Sequence, residues 1–394
     1  LASRTRALLA DSMRLGKSGQ AIMAADKIGA ERVLVPCPAI ACYQWLEQWA
    51  EWSERAPATI LGREPPPPCF KGVLIASYNR AVQHLEALRA APRWDVLIPD
   101  EAHFAKGPDA QRTKAVYGKT GIGWNADRIW ALTGTPMPNH PGELWPMLRA
   151  FGAVKTDYKA FVNHFCYYDW KTDRIYGARK DRFPELRALL APFMLRRTLA
   201  EVAPDMPRIA YNMLAVEPQP GVDLRSDNPE DVDTEDRIAV ALAKAPLLAK
   251  EIEGNLLARN YQQTVVFGYH VEPLKVLGEM LTAAGYDVSV ITGATPLQQR
   301  ENKLAAFKAG VCQVLICQMI AAGTAIDLSA AQHGYMLELD YVPANNSQAA
   351  HRLVNMETGL PVTIDILSWP GTKDDKVQRT LRRKMQDIKG VGLA

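Results

Sequence analysis

The stretch Arg14-Leu15-Gly16-Lys17-Ser18 has the residue types of a phosphate-binding loop, with Arg14 standing where such a loop wants glycine. In that chemistry backbone N–H groups face the phosphates and Lys17 brings positive charge to the β and γ oxygens. Ser18 offers a hydroxyl to magnesium, and the helix that follows adds its N-terminal dipole. Gly16-Lys17-Ser18 alone reads equally as an ordinary helix cap. A second group strengthens the phosphate reading. "VLIPDEAH" closes an apolar run with Asp100-Glu101-Ala102-His103. A buried strand would deliver both acids to its C-terminal end, where open α/β sheets bind ligands. Asp100 would then hold magnesium, usually through water, and Glu101 would orient and deprotonate an attacking water. The competing reading is a helix N-cap with acids near the dipole. A third group, Thr133-Gly134-Thr135-Pro136 after another apolar run, forms a hydroxyl-rich turn able to sense the acidic pair. His103 is expected to bridge these groups; the six other histidines show no metal spacing.

Such groups need strands to carry them. "ERVLVPCP", "KGVLIAS", "WDVLIPD" and "RIWALTG" are short apolar runs bounded by Pro, Gly or polar residues, as buried strands are. Helix-like stretches such as "CYQWLEQWAEWSE" and "AVQHLEALRAA" alternate with them, which predicts a parallel sheet covered on both faces. Trp45, Trp49 and Trp52 fall at helical spacing and read as core packing rather than a base-stacking platform. "EPPPPC" reads as a rigid surface connector. The acidic stretch 217–236 reads as a linker. A second alternating series follows it: "QTVVFGY", "YDVSVITG", "CQVLICQ", "HGYMLELD" and "PVTIDIL". The division expected is a first lobe over 1–212, a linker and connecting helix over 213–258, and a second lobe over 259–394 ending in a charged helix.

The bulk properties agree. A chain of 394 residues, 48% of them hydrophobic, is long enough for two cores. A net charge of +3 argues against a strongly basic coat but not against a basic groove. The six cysteines form no C-x-x-C pair, so zinc and thioredoxin chemistry have no support, and their scatter suggests a reducing compartment. No run approaches the roughly 20 apolar residues of a membrane span. The first residue is not methionine, and the sequence reads as a fragment or trimmed chain.

The order phosphate loop, Asp-Glu-Ala-His, Thr-Gly-Thr-Pro and second α/β unit resembles the superfamily-two helicases. "PCPAIACYQWLEQWAEW", "LTGTPMPNHPGELWPMLRAFG", "PFMLRRT" and "CQMIAAGTAIDLSAAQHGYMLELDYVPANNSQAAHR" resemble the Swi/Snf-related DNA translocases, nearest their annealing-helicase and phage-encoded branch. The resemblance implies an α/β architecture of two RecA-like lobes that clamp ATP with magnesium (Mg2+) and grip double-stranded or branched DNA. It assigns catalysis to Lys17, Asp100, Glu101 and Arg352, and nucleotide contacts to Gly16, Lys17, Ser18, Gly323, Asp327, Gln348 and Arg352. Ser18 and Asp100 would hold the metal. Ser77, Tyr78, Thr135, Arg197, Thr292, Gly293 and Tyr341 would face DNA phosphates and sugars, with little sequence preference. For Arg196-Arg197 the alternative is a solvated surface pair. A DNA-associated cytoplasmic protein of a bacterial or phage-infected cell is expected, or a nuclear one if the source is eukaryotic.

The chain also departs from that family. Its loop reads "DSMRLGKS" against a usual D-E-M-G-L-G-K-T, so Arg14 is strained by about 1–3 kcal/mol if its φ is positive. Ala325 replaces a favoured glycine. In "QAAHRLVNMETG" Asn355 stands for the second arginine and Glu357-Thr358 for Gly-Gln. An arginine finger is worth about 10³–10⁵ in rate, because it neutralises charge developed in the transition state. The glutamine-bearing segment that reads adenine upstream of the loop is not among the ten residues before Asp11. Two rivals to an active DNA translocase follow: a weakened pseudo-translocase that serves as a DNA-binding or recruitment module, and an RNA-remodelling ATPase, against which "LTGTPMPN" argues.

Overall fold

A computed structural model gives the structure of residues 1–55, 57–169, 171–205, 209–216, 224, 234–319, 326–355 and 358–393. The chain divides into two compact units, Leu1–Pro204 with Lys384–Ala394, and Asp205–Arg383.

The first unit contains β1 (Arg6–Leu9), β2 (Arg32–Cys37), β3 (Ala58–Ile60), β4 (Gly72–Ser77), β5 (Trp94–Leu97), β6 (Ala126–Leu132), β7 (Cys166–Asp169), β8 (Arg174–Ala178) and β9 (Met194–Leu195). Seven of these form one sheet in the order β3-β4-β2-β5-β6-β1-β9, with every pairing parallel. Successive side chains of a strand point to opposite faces. Leu8, Leu34, Leu74, Ile129 and Ala131 therefore enter one apolar cluster, while Ala7, Leu9, Val33, Val35, Trp130 and Leu132 enter another. Burial on both faces is why these strands read as unbroken apolar runs. The helix Cys42–Trp52 buries Cys42, Trp45 and Trp49. The core reading of Trp45 and Trp49 is correct, whereas Trp52 is half exposed.

The second unit contains β10 (Ala210–Ala215), β11 (Thr264–Gly268), β12 (Val288–Ile291), β13 (Val314–Gln318), β14 (His333–Met336) and β15 (Thr363–Ser368), ordered β10-β15-β14-β11-β13-β12 and again all parallel. Its two faces likewise split the core, with Val265 and Leu315 on one side and Val266 and Ile316 on the other. The expectation of two parallel-sheet α/β lobes holds.

The division differs from 1–212, 213–258 and 259–394 at both ends of the second lobe. β10 pairs with β15, so residues 210–215 belong to the second sheet. The helix Thr234–Leu257 packs Ala245, Leu248, Ala249 and Ile252 into that unit's core rather than linking. Residues Lys384–Ala394 cluster with the first unit, where Val391 and Leu393 are buried. β10 is hard to see in sequence because its side chains are mostly exposed and no apolar run marks it. Most of the acidic stretch lies outside the described residues. Among the described residues no helix is long and apolar enough to cross a membrane.

Candidate nucleotide site

β5, β6, β1 and β9 are consecutive neighbours in a parallel sheet, so their C-terminal ends open at one edge. That edge gathers four stretches distant in sequence: Asp100-Glu101 beyond β5, Thr133–Thr135 beyond β6, Asp11–Ser18 beyond β1, and Arg196-Arg197 beyond β9. A bridge between Asp100 and Leu132 ties the first two together.

The loop after β1 enters the helix Lys17–Lys27 through Gly16, at φ 66° and ψ 38°. Arg14 is also left-handed, at φ 67°. The strain expected of a non-glycine residue there is therefore present. Lys17 Nζ donates to the carbonyls of Asp11 at 2.9 Å and Ser12 at 3.1 Å. Burial lowers its pKa, while the carboxylates of Glu101, Asp100 and Asp11 pull the other way. A β-carbon on Gly134 would sit 3.4 Å from Met13 Cγ and 3.5 Å from Lys17 Nζ. The β6 turn and the loop thus lie within ordinary van der Waals reach of each other.

Asp11 is fully buried. It accepts from Arg197 N at 2.8 Å, from the Arg197 guanidinium, and from Gln20 Nε2 at 3.1 Å. Gln20 also donates to Leu15 O at 2.7 Å, and Arg196 Nη1 to Ala10 O at 2.8 Å. The Arg196-Arg197 pair is thus neither a loose surface pair nor simply an outward-facing one. It braces the phosphate loop, a role the sequence reading missed.

Asp100 Oδ2 accepts from the Trp45 indole N–H at 2.8 Å, and the Asp100 carbonyl accepts from Tyr78 OH at 2.8 Å. Burial first, and then the Glu101 charge, raise the Asp100 carboxyl to about 6, against the Trp45 bond and Lys17. Glu101 sits in the left-handed region at φ 45°, a conformation that concentrates at functional positions. His103 Nδ1 lies 3.3 Å from Glu101 Oε2 and 2.9 Å from Thr133 Oγ1, and Thr133 Oγ1 accepts from Thr135 N at 3.1 Å. His103 bridges the two motifs as expected. The donor set suits magnesium: burial and the Glu101 charge disfavour ionisation of the Asp100 carboxyl, and a divalent cation would offset that. Trp45, read only as core, is the residue that orients that carboxyl.

Two residues expected to face DNA do not present their side chains. Tyr78 is 4% exposed, stacks on Phe104 at 6.1 Å and spends its hydroxyl on Asp100. A phenol between a core and a strand end cannot reach a phosphate, and this corrects the expectation. The Thr135 hydroxyl is buried without a hydrogen-bond partner among the described residues. Ser77 caps the helix Tyr78–Gln83, accepting from Arg80 N at 3.2 Å.

In the second unit, Tyr341 and Tyr269 flank the Arg237 guanidinium, each ring centre 4.9 Å away. Arg237 donates to Leu339 O at 2.9 Å. The adjacent Glu338 is buried and accepts from His270 Nδ1 at 2.7 Å, His270 N at 2.9 Å and Tyr269 N at 3.1 Å. Burial opposes its charge, yet His270 and Arg237 hold Glu338 below the ordinary carboxylate range. No periodic signal marks Arg237, which lies where a connecting helix was expected. Gly293 N donates to Gln318 Oε1 at 2.9 Å, and Thr292 N to Thr295 Oγ1 at 2.9 Å. Asp327 pairs with Lys308 Nζ at 3.0 Å. Gln348 lies on the helix Pro343–His351 and Arg352 ends it, its carbonyl accepting from Leu328 N at 3.1 Å. Asn355 Oδ1 accepts from Thr358 N at 3.0 Å, so its carboxamide closes a local turn. Gly323, Ala325 and Glu357 lie outside the described residues.

Residues 2–222 match the SNF2-related domain family and residues 243–356 the helicase conserved C-terminal domain. The chain is 24% identical over 421 residues to the SWI/SNF-related matrix-associated actin-dependent regulator of chromatin subfamily A-like protein 1 of Drosophila melanogaster, covering 100% of this chain and 54% of that protein. It is 26% identical over 418 residues to the mouse DNA annealing helicase and endonuclease ZRANB3, covering 97% of this chain and 38% of that one. The chain thus spans about half or less of these relatives. The Sulfolobus solfataricus SWI2/SNF2 ATPase core, solved in complex with dsDNA, is 20% identical with a TM-score of 0.46, covering 98% of this chain and 89% of that one.

Proposed function

The chain belongs to the SNF2-related domain family, a helicase-type ATPase family built on RecA-like lobes, and from that premise we propose that it is an ATP-dependent translocase on double-stranded or branched DNA. The observation that carries this reading is the first sheet's C-terminal edge, where one parallel order gathers Lys17, Asp100, Glu101 and the Thr133–Thr135 turn. Lys17 would exchange its two loop carbonyls for β and γ phosphate oxygens, and the Gly16 to Ser18 amides would receive the rest of the anion. Asp100 and Ser18 would hold magnesium, which would neutralise phosphate charge. Glu101 would take the proton of the attacking water, its orientation shared with His103. We assign further nucleotide contacts to Gly323, Asp327, Gln348 and Arg352. Ser77, Arg197, Thr292, Gly293 and the Tyr341 turn are assigned to the DNA backbone.

ATP hydrolysis with and without duplex DNA tests the reading. Wild type should be stimulated by duplex of any sequence, with stimulation falling as salt rises. Lys17→Ala should weaken ATP binding by calorimetry, and Glu101→Gln should keep binding while losing turnover. Unchanged ATP affinity in Lys17→Ala would remove the site assignment, and stimulation by RNA alone would favour an RNA-remodelling enzyme. A second reading, a weakened pseudo-translocase, rests on Arg14 at φ 67° and on Asn355, which has no cationic group and closes a turn with its carboxamide. It predicts ATP and DNA binding with slow hydrolysis.

A further inference from the structure

β7 and β8 form an antiparallel hairpin separate from both parallel sheets. One face is anchored: Cys166 and Ala178 are buried, and Tyr168 and Ile175 pack on the first unit's core. The other face is open, with Tyr167 56% and Tyr176 53% exposed. Tyr167 stands opposite Gly177 and Tyr168 opposite Ile175, so Tyr176 is the extra residue of a bulge. Bulges of this kind re-aim a side chain, and here two phenol rings come to one outward face.

One cation lies over a ring, and two more are exposed in the same segment. The Arg179 guanidinium lies 5.6 Å from the Tyr167 ring centre, and its Nε is fixed by Cys166 O at 3.2 Å. Arg174 and Lys180 are exposed. The hairpin's acids are engaged within the loop itself: Asp169 accepts from Lys171 N at 2.9 Å and Thr172 Oγ1 at 2.8 Å, and the exposed Asp173 accepts from Tyr168 OH. Exposed flat rings among cations fit a ligand made of flat apolar plates joined by anions.

We propose that the outward face of this hairpin binds unpaired nucleotides of a DNA strand, with Tyr167 and Tyr176 stacking on bases and Arg174, Arg179 and Lys180 meeting the flanking phosphates. Base faces are available only where pairing is broken, so the surface selects single-stranded arms over intact duplex. Stacking is indifferent to base identity, so it adds no sequence preference. The inference deepens the DNA reading above and rests on it for the kind of partner, but its site is distinct from the nucleotide edge.

The test uses the full chain, a forked DNA with single-stranded arms, and a blunt duplex of the same length. Binding is read by anisotropy, and stacking by the fluorescence of 2-aminopurine placed in an arm. The Tyr167→Ala/Tyr176→Ala pair should bind the fork about tenfold or more weakly and lose the 2-aminopurine quenching. Blunt-duplex affinity and duplex-stimulated hydrolysis should stay as in wild type. The Tyr167→Phe/Tyr176→Phe pair should restore fork binding, since the ring and not the hydroxyl stacks. Equal losses on fork and duplex, no loss on either, or a phenylalanine pair that behaves like alanine each overturn the proposal. Duplex-stimulated hydrolysis without tyrosine-dependent fork binding would remove the hairpin site alone. Tyrosine-dependent fork binding without hydrolysis would remove the translocase reading alone.

Discussion

Arg14 allows backbone strain and side-chain charge to be separated. At φ 67° an L-residue other than glycine costs about 1–2 kcal/mol. Arg14→Ala keeps that strain and removes the guanidinium; Arg14→Gly removes both. Their difference isolates the backbone. Glycine gives back about 0.4–1 kcal/mol by loosening the unfolded chain. The glycine variant should therefore exceed the alanine variant in stability by about 0.8 kcal/mol, the extremes of the two ranges giving roughly 0–1.6 kcal/mol. For a unit of this size the central figure is a rise of about 2–3 °C in the first unit's melting temperature. Differential scanning calorimetry of both variants, with urea unfolding as a second measure, reads it. ATP titration supplies the charge arm: if the guanidinium meets phosphate, both variants lose affinity equally. A glycine variant that melts below the alanine variant would refute the strained left-handed loop, and with it the idea that Arg14 distorts the phosphate site.

Three further outcomes are expected. Trp45→Phe loses core volume and the donor to Asp100, so melting and magnesium-dependent turnover should both fall; unchanged magnesium dependence would show that the indole N–H does not position the carboxylate. Asn355→Arg gives up the bond from Thr358 N, worth about 0.5–1.5 kcal/mol. With saturating duplex it should raise kcat more than it changes ATP affinity, and a wild type already at an ordinary translocase rate, unaltered by the change, would refute the impaired-site reading. Acid unfolding tests Glu338 and Glu143, both held below the usual 4.5: Glu143 is buried but held down by Lys106, His140 and Asn139. Their stabilisation is complete above pH 4.5 and is lost as pH falls through their lower folded values. Glu338→Gln should be less stable at neutral pH and flatten the acid limb; an identical acid limb would remove Glu338 from it.

The sequence by itself determined the strands that are buried on both faces and the motifs that punctuate them. A strand such as Val73–Ala76 can only be a run of apolar residues, and the loop, acidic pair and hydroxyl turn are local in chain order. The His103 bridge was legible because its motif places it beside the acids. β10 and the β7–β8 hairpin were not legible, since exposed strands carry no apolar run. Tertiary structure alone decided which strand ends adjoin. Placing β1 between β6 and β9 puts Asp11 against Arg197 and Gly134 against Lys17. It also decided that the Trp45 indole reaches Asp100 and that Tyr78 is a buried prop rather than a surface group. Helical spacing says which face of a helix is buried; only the packed sheet says which polar group waits beneath that face, because burial leaves a donor free energy to gain only where an acceptor has been brought by another part of the chain.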